Sequence, residues 1–198
     1  TPGTCSKVVT YSASITGSAS PTITYTFTGA TTGSGSGTGS GATFNRGITT
    51  VTITANSGCA PNATCSFTIT VNDNEAPVFT SCPANAIRNT AAGICTYTSV
   101  GSEFNSIATD NCSVTSKTAT LTGATVGAGI VSLATRVFNR GVTTVTWTAS
   151  DGTNSTICSF TVTVNDNQSP VFTSCPVNTI RNTPAGICTY TSIGNEFN

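Results

Sequence analysis

The chain reads as all-β, a series of tandem immunoglobulin-like β-sandwiches, and three observations predict this. Apolar residues alternate with threonine at a period of two: Val51, Ile53 and Ala55 against Thr50, Thr52 and Thr54, then Val145, Trp147 and Ala149 against Thr144, Thr146 and Thr148. Such alternation marks antiparallel strands with one face inward and one to water. No window carries apolar residues at helical spacing. The sequence also repeats itself at about 93 residues, and each copy holds several short strands separated by Gly, Asn and Asp turns, as a small sandwich requires.

The elements follow in order. FNRG at 44–47 opens the first long strand and returns at 138–141, a shift of 94. Phe67, Ile69 and Val71 form the next alternating run, matched by Phe160, Val162 and Val164. After each run comes a joint, VNDNEAPVFTSCP at 71–83 and VNDNQSPVFTSCP at 164–176, a shift of 93. A strand end, an acidic turn, a proline and a new strand are what a hinge between two β domains needs. Cys5 matches Cys95 at a shift of only 90, so the first copy lacks four residues between Cys5 and Thr28. The expected units are 1–75, lacking its first strand; 76–168, complete; and 169–198, the opening strands of a third. The chain is read as a window on a longer array. Trp147 falls on an inward position and is expected in the core. The run Gly33–Gly41 is expected to be too flexible to pack, with no Lys-Ser/Thr to make it a phosphate loop. The matching stretch 124–138 is more apolar, suits extra edge strands, and is where contacts particular to one unit are expected.

Composition narrows the function. Only 7% of residues are charged, seven basic against seven acidic, so threonine and serine must cover the surface. A net charge of zero removes the basic face that nucleic acid or an anionic membrane would need. No stretch is long and apolar enough to span a membrane. The absence of histidine excludes Ser-His and Cys-His nucleophile pairs, and no enzyme activity is expected. Nine cysteines without a CxxC pair point to disulfides in an oxidising compartment.

In the complete unit the cysteines stand as CP at Cys82, GIC at Cys95, DNC at Cys112 and CSF at Cys158. With the joint, the FNRG turn and the run GVTTVTWTASDGTNSTICSFTVTVND at 141–166, this resembles the hyalin repeat, an extracellular immunoglobulin-like module, over essentially the whole chain. The threonine-rich, lysine-poor version looks most like the tandem modules of giant surface adhesins in gliding Bacteroidota. The resemblance implies pairing of Cys82 with Cys95, Cys112 with Cys158, and Cys175 with Cys188. The first unit departs from the pattern, having no DNC cysteine although Cys65 stands where Cys158 does. Cys59, six positions away, is therefore expected to clip Cys65, and the partner of Cys5 is expected before residue 1.

The joint also looks like the linker of cadherins, which holds calcium between domains. On that resemblance Asp73, Asn74, Glu75, Asp166 and Asn167 are candidate Ca2+ ligands, with Asn72, Asn165, Glu103, Asp110 and Glu196 as further donors, although Gln168 replaces the glutamate in the second joint. The alternative is that Asn and Asp cap the turn while proline stiffens it, and no other cofactor is expected. Arg46 and Arg140 read as solvated turn residues, and Arg88 and Arg181 as partners of a nearby acid. Asn62, Asn111 and Asn154 open glycosylation sequons, and Asp151 lies in a DG turn.

The function these readings favour is a structural stalk of an extracellular adhesin or surface filament, giving reach and multivalent attachment. Its partners would be neighbouring repeats of the same long chain, with surface polysaccharide or other cell-surface proteins beyond them. The alternatives are a carbohydrate- or protein-binding module using the 124–138 loop, and an accessory region of a secreted enzyme. Head-to-tail strand donation between copies is a further assembly route, less favoured than a continuous chain because 183–198 would duplicate the start of the first unit.

Overall fold

The computed structural model describes residues 3–17, 20–58 and 61–194. Thr1–Asp166 is one compact unit and Asn167–Asn198 a second. The first unit holds the two repeats. Repeat one comprises β1 (Ser6–Val8), β2 (Thr22–Gly29), β3 (Gly33–Ser36), β4 (Thr43–Asn45), β5 (Gly47–Asn56) and β6 (Ala63–Val71). Its larger sheet runs β3-β2-β5-β6, and β1 pairs with β4. Repeat two comprises β7 (Val78–Ser81), β8 (Ala86–Asn89), β9 (Thr96–Thr98), β10 (Ile107–Thr109), β11 (Ser116–Gly123), β12 (Gly127–Ile130), β13 (Val137–Asn139), β14 (Gly141–Ser150) and β15 (Ser155–Asn165). Its larger sheet runs β12-β11-β14-β15-β8, opposed by the pairs β7-β10 and β9-β13. No residue is helical among those described, and the architecture is the immunoglobulin-like sandwich that the alternation predicts.

The alternation sets the core directly. In the β14–β15 register Val145 faces Phe160 and Trp147 faces Cys158, all buried, while the Thr146 and Ser159 hydroxyls share a hydrogen bond at 3.3 Å on the outer face. Trp147 is fully buried among Phe104, Leu121, Leu133, Phe138 and Val162, and its Nε1 donates to the Phe104 carbonyl at 3.0 Å. That bond satisfies the indole's one polar atom, without which burial would carry a desolvation cost. Lys117 lies with Nζ 5.0 Å from the centre of the indole ring and donates to the Ser106 carbonyl.

Repeat one has a smaller core of Phe27, Phe44, Val51 and Ile53, and the isoleucine takes the place of Trp147 at a shift of 94. The glycine-rich run packs against the Tyr25 and Phe27 rings at the edge of this core, which corrects the expectation that it is too flexible to pack. Gly33–Ser36 forms β3, with Gly35 opposite Tyr25 and Gly33 opposite Phe27. The Tyr25 and Phe27 rings, 4.5 Å apart, lie over the run, so that a Cβ on Gly39 would come within 2.7 Å of Phe27 Cζ. Glycine is needed there to make room for the rings. The matching stretch of repeat two does supply an edge strand, β12.

Residues 167–194 carry no strand. Their sequence nearly duplicates 74–101, which in repeat two forms β7, β8 and β9. Those strands exist because β10, β15 and β13 of the same repeat pair with them. Where no strand pairing forms, Phe172 is 92% exposed and Ile180 91%. A β signal is a propensity to fit a pleated surface, and the pairing strand has to be there.

Candidate functional site: the seam between repeats

The joint at 72–77 runs from β6 to β7, and side chains from both repeats converge on it. Asp73 is buried, and its Oδ1 accepts from the Glu75 amide at 3.1 Å, closing the turn. Arg46, between β4 and β5, reaches across from repeat one. Its Nη1 lies 3.5 Å from Asp73 Oδ2, and its Nη1 and Nη2 donate at 3.4 and 3.3 Å to the Asp151 carbonyl in the β14–β15 turn of repeat two. From the other side Asn154 Nδ2 lies 3.2 Å from the Asp73 carbonyl and 3.0 Å from that of Glu75. Asn111 Nδ2 lies 3.2 Å from the Thr4 carbonyl and 3.4 Å from Asp73 Oδ1, and the Gly3 amide donates to Glu75 Oε2 at 2.8 Å.

The turn that presents Asn154 is itself held firmly. Asp151 is fully buried, and its Oδ1 accepts from the Thr153 and Asn154 amides, both at 2.6 Å, while Asn154 Nδ2 reaches its Oδ2 at 3.0 Å. The Asn154 amide and side chain, the Thr153 amide and the charge of Arg46 together lower the Asp151 pKa to about 2, against the opposing effect of burial. Asp110 builds a similar turn before the cysteine, its Oδ1 accepting from the Cys112 amide at 2.8 Å and the Ser113 amide at 3.0 Å.

A disulfide completes the seam. Cys5, just before β1 of repeat one, bonds Cys112, just after β10 of repeat two, with Cα atoms 4.7 Å apart. The other bridge joins Cys82, next to β7, to Cys158 in β15, with Cα atoms 5.9 Å apart, and ties the small sheet to the large one beside Trp147. These bonds correct the expected pairing: Cys82 bonds Cys158 and not Cys95, and Cys112 bonds Cys5 and not Cys158. The cause is the inward position of Cys158 on β15, which turns its sulfur into the core towards β7, away from the seam where Cys112 stands. Cys5, expected to pair before residue 1, has its partner in the next repeat. Cys95, Cys175 and Cys188 are exposed and unbonded, so no Cys175–Cys188 bridge forms. Cys65 is exposed on β6; its expected partner Cys59 lies outside the described residues.

Among the described residues, two of the candidate metal ligands, Asp73 and the further donor Asp110, enter one cluster. The Asp73 carboxylate lies with Asp110 and Cys112, ligand atoms within 4.8 Å of one another, and Asp73 Oδ2, Asp110 Oδ2 and the neighbouring Asn111 Oδ1 are buried without a hydrogen-bond donor. Asn74 is exposed, Glu75 is engaged by Gly3, and Asp166 and Asn167 are exposed. Glu103, a suggested further donor, instead accepts from Arg88 Nη2 at 2.7 Å and Tyr97 Oη at 2.7 Å. Burial pushes the Glu103 carboxyl up, but the Val100 amide, Arg88 and Tyr97 outweigh it and hold it below the ordinary range. Glu196 lies outside the described residues. Three orphan oxygens are half of what calcium takes. The Cys112 sulfur is committed to a disulfide, and the Arg46 guanidinium already faces Asp73 Oδ2. This donor set does not fit a calcium cage.

Sequence reasoning missed the role of Arg46, Asn111, Asp151 and Asn154. The signal for Arg46 was its recurrence as Arg140 in the FNRG turn, and for Asn111 its place beside a cysteine.

No family model and no curated protein matches the chain. Solved structures match it in part. The Drosophila N-cadherin EC1-4 structure is 17% identical over 72% of this chain and 41% of that one, with a TM-score of 0.33. The protocadherin GammaB4 extracellular domain is 16% identical over 59% of this chain and 21% of that one, with a TM-score of 0.30. The endo-fucoidan hydrolase MfFcnA4 of glycoside hydrolase family 107 is 18% identical over 62% of this chain and 19% of that one, with a TM-score of 0.29. The chain thus spans well under half the length of each. No helix among the described residues is long and apolar enough to cross a membrane.

Proposed function

We propose that the chain is a structural segment of an extracellular adhesin or surface filament, a stalk of hyalin-type repeats of the kind found in surface adhesins of gliding Bacteroidota. Its immediate partners are neighbouring repeats of the same chain, and attachment comes from many weak contacts along the array. The observation that carries this reading is the seam. A loose linker would let successive sandwiches swing, as the default between domains. Here an arginine, two asparagines and a disulfide cross from repeat to repeat, which suits a stalk that transmits reach. Bridges of this kind are rare in the reducing cytosol and persist in oxidising compartments, which supports a stalk outside the cell.

Antibody against this chain should label intact cells and decorate extended filaments in electron micrographs. Labelling that requires permeabilised cells overturns the reading. The seam is proposed to hold without a metal, because its donors fall short of a calcium cage. The melting temperature should then be the same in excess calcium and in chelator, and a rise with calcium would restore the cation.

A further inference from the structure

We infer that the Cys5–Cys112 bridge is one rung of a ladder, and that Cys95 is the cysteine that forms the next rung, with the Asp-Asn-Cys cysteine of the repeat downstream. The inference rests on the reading of the chain as part of a tandem array. Three observations carry it. Cys5 and Cys95 occupy the same place in successive repeats, each immediately before the short strand that pairs with the strand leading into FNRG. Their local frames coincide: the Arg46 amide donates to the Cys5 carbonyl at 3.1 Å, and the Arg140 amide donates to the Cys95 carbonyl at 3.1 Å. Cys95 is exposed and unbonded, whereas Cys82, which could have taken it within the repeat, is already bonded to Cys158. In the sequence, Arg140 and Asp166 occupy the places of Arg46 and Asp73.

The chemistry is an ordinary oxidation. The Cys95 thiol and the partner thiol give up two protons and two electrons to a disulfide-form thiol oxidant of the export compartment, which leaves as its dithiol, and one S–S bond forms.

The ladder has a mechanical consequence. Each rung lands downstream of the cysteine that starts the next, so the shortest covalent route through a repeat runs from Cys112 back to Cys95 and then across the following rung. That route spans 112 − 95 = 17 residues instead of a whole repeat of 93. Fully extended, 17 residues reach about 60 Å, against about 320 Å for an unbridged repeat. Force cannot draw out more than the short segment, even from an unfolded repeat. The array is then a tether that holds its length.

The test uses the native polypeptide taken from the cell surface, alkylated without reduction and digested. The Cys95 peptide should be joined to a peptide carrying Asp-Asn-Cys. Cys95 recovered alkylated, or joined to any other cysteine, overturns the ladder. Pulling single native chains should give length increments near or below about 60 Å per repeat, rising roughly fivefold when a reductant is added. Increments of full-repeat size without reductant overturn it as well. A native polypeptide that contained no further repeats would defeat the array reading itself, whereas repeats present with Cys95 unbridged would defeat the ladder alone.

Discussion

Replacing Cys5 and Cys112 together by serine removes the staple without leaving a reactive thiol. The bridge closes a loop with a sequence separation of 107. Chain entropy for a loop of that length amounts to about 4.8 kcal/mol at 25 °C, an upper figure because unfolded chains are already partly compact. With a urea slope of about 2 kcal/mol per molar, the unfolding midpoint of the double variant should fall by about 2 M. The variant keeps Arg46, Asn111 and Asn154, so the native seam should still assemble and the loss should appear in the unfolded reference. Matched urea titrations by tryptophan fluorescence, using Trp147, and by far-ultraviolet circular dichroism read this directly. A midpoint unchanged within about 0.3 M, equivalent to under about 1 kcal/mol, would refute the staple.

Three further changes probe other parts of the structure. Trp147→Ala should cost about 3–5 kcal/mol in a urea melt, because the side chain is fully buried between the sheets of repeat two. Gly39→Ala should destabilise repeat one by at least about 1 kcal/mol more than Gly37→Ala; both have positive φ, but only at Gly39 would the Cβ meet Phe27 and Tyr25, so equal effects would place the rings elsewhere. Asp151 has a native pKa of about 2, below the ordinary carboxylate value, so its contribution to stability is complete above about pH 4 and is lost as the pH falls through 2. Asp151→Asn should therefore be less stable at neutral pH and should lose less stability between pH 4 and pH 2 than the native chain. Parallel stability–pH curves for the two would contradict the assignment.

How much was legible in the sequence depended on the range of the interaction. The β14 and β15 strands could be read from alternation alone, because a period of two decides which face is buried, and Trp147 followed from it. The glycine run was misread because its packing partner, the Tyr25–Phe27 ring pair, lies on another strand and leaves no periodic trace. The opening segment of the expected third unit carries nearly the same sequence as 74–101 yet forms no strand among the described residues, because a strand signal needs a pairing strand. Cysteine pairing was hardest. Spacing shows which cysteines are equivalent between repeats, yet it does not say whether a bridge stays inside a repeat or crosses the seam. The equivalence does carry the proposed ladder, since Cys5 and Cys95 each precede a short strand paired with the one that leads into FNRG, and each carbonyl accepts from the arginine amide of that turn. Arg46 looked like a solvated turn residue because its acceptor, the Asp151 carbonyl, is 105 positions away.

The Cys5–Cys112 bridge joins the repeats covalently across the seam, and disulfide mapping of this chain tests for it. After alkylation and non-reducing digestion, the peptide with Cys5 should be found joined to that with Cys112, and Cys82 to Cys158. Recovery of Cys82 joined to Cys95 together with Cys112 joined to Cys158 would contradict it, leaving each repeat closed on itself and the seam to hydrogen bonds alone.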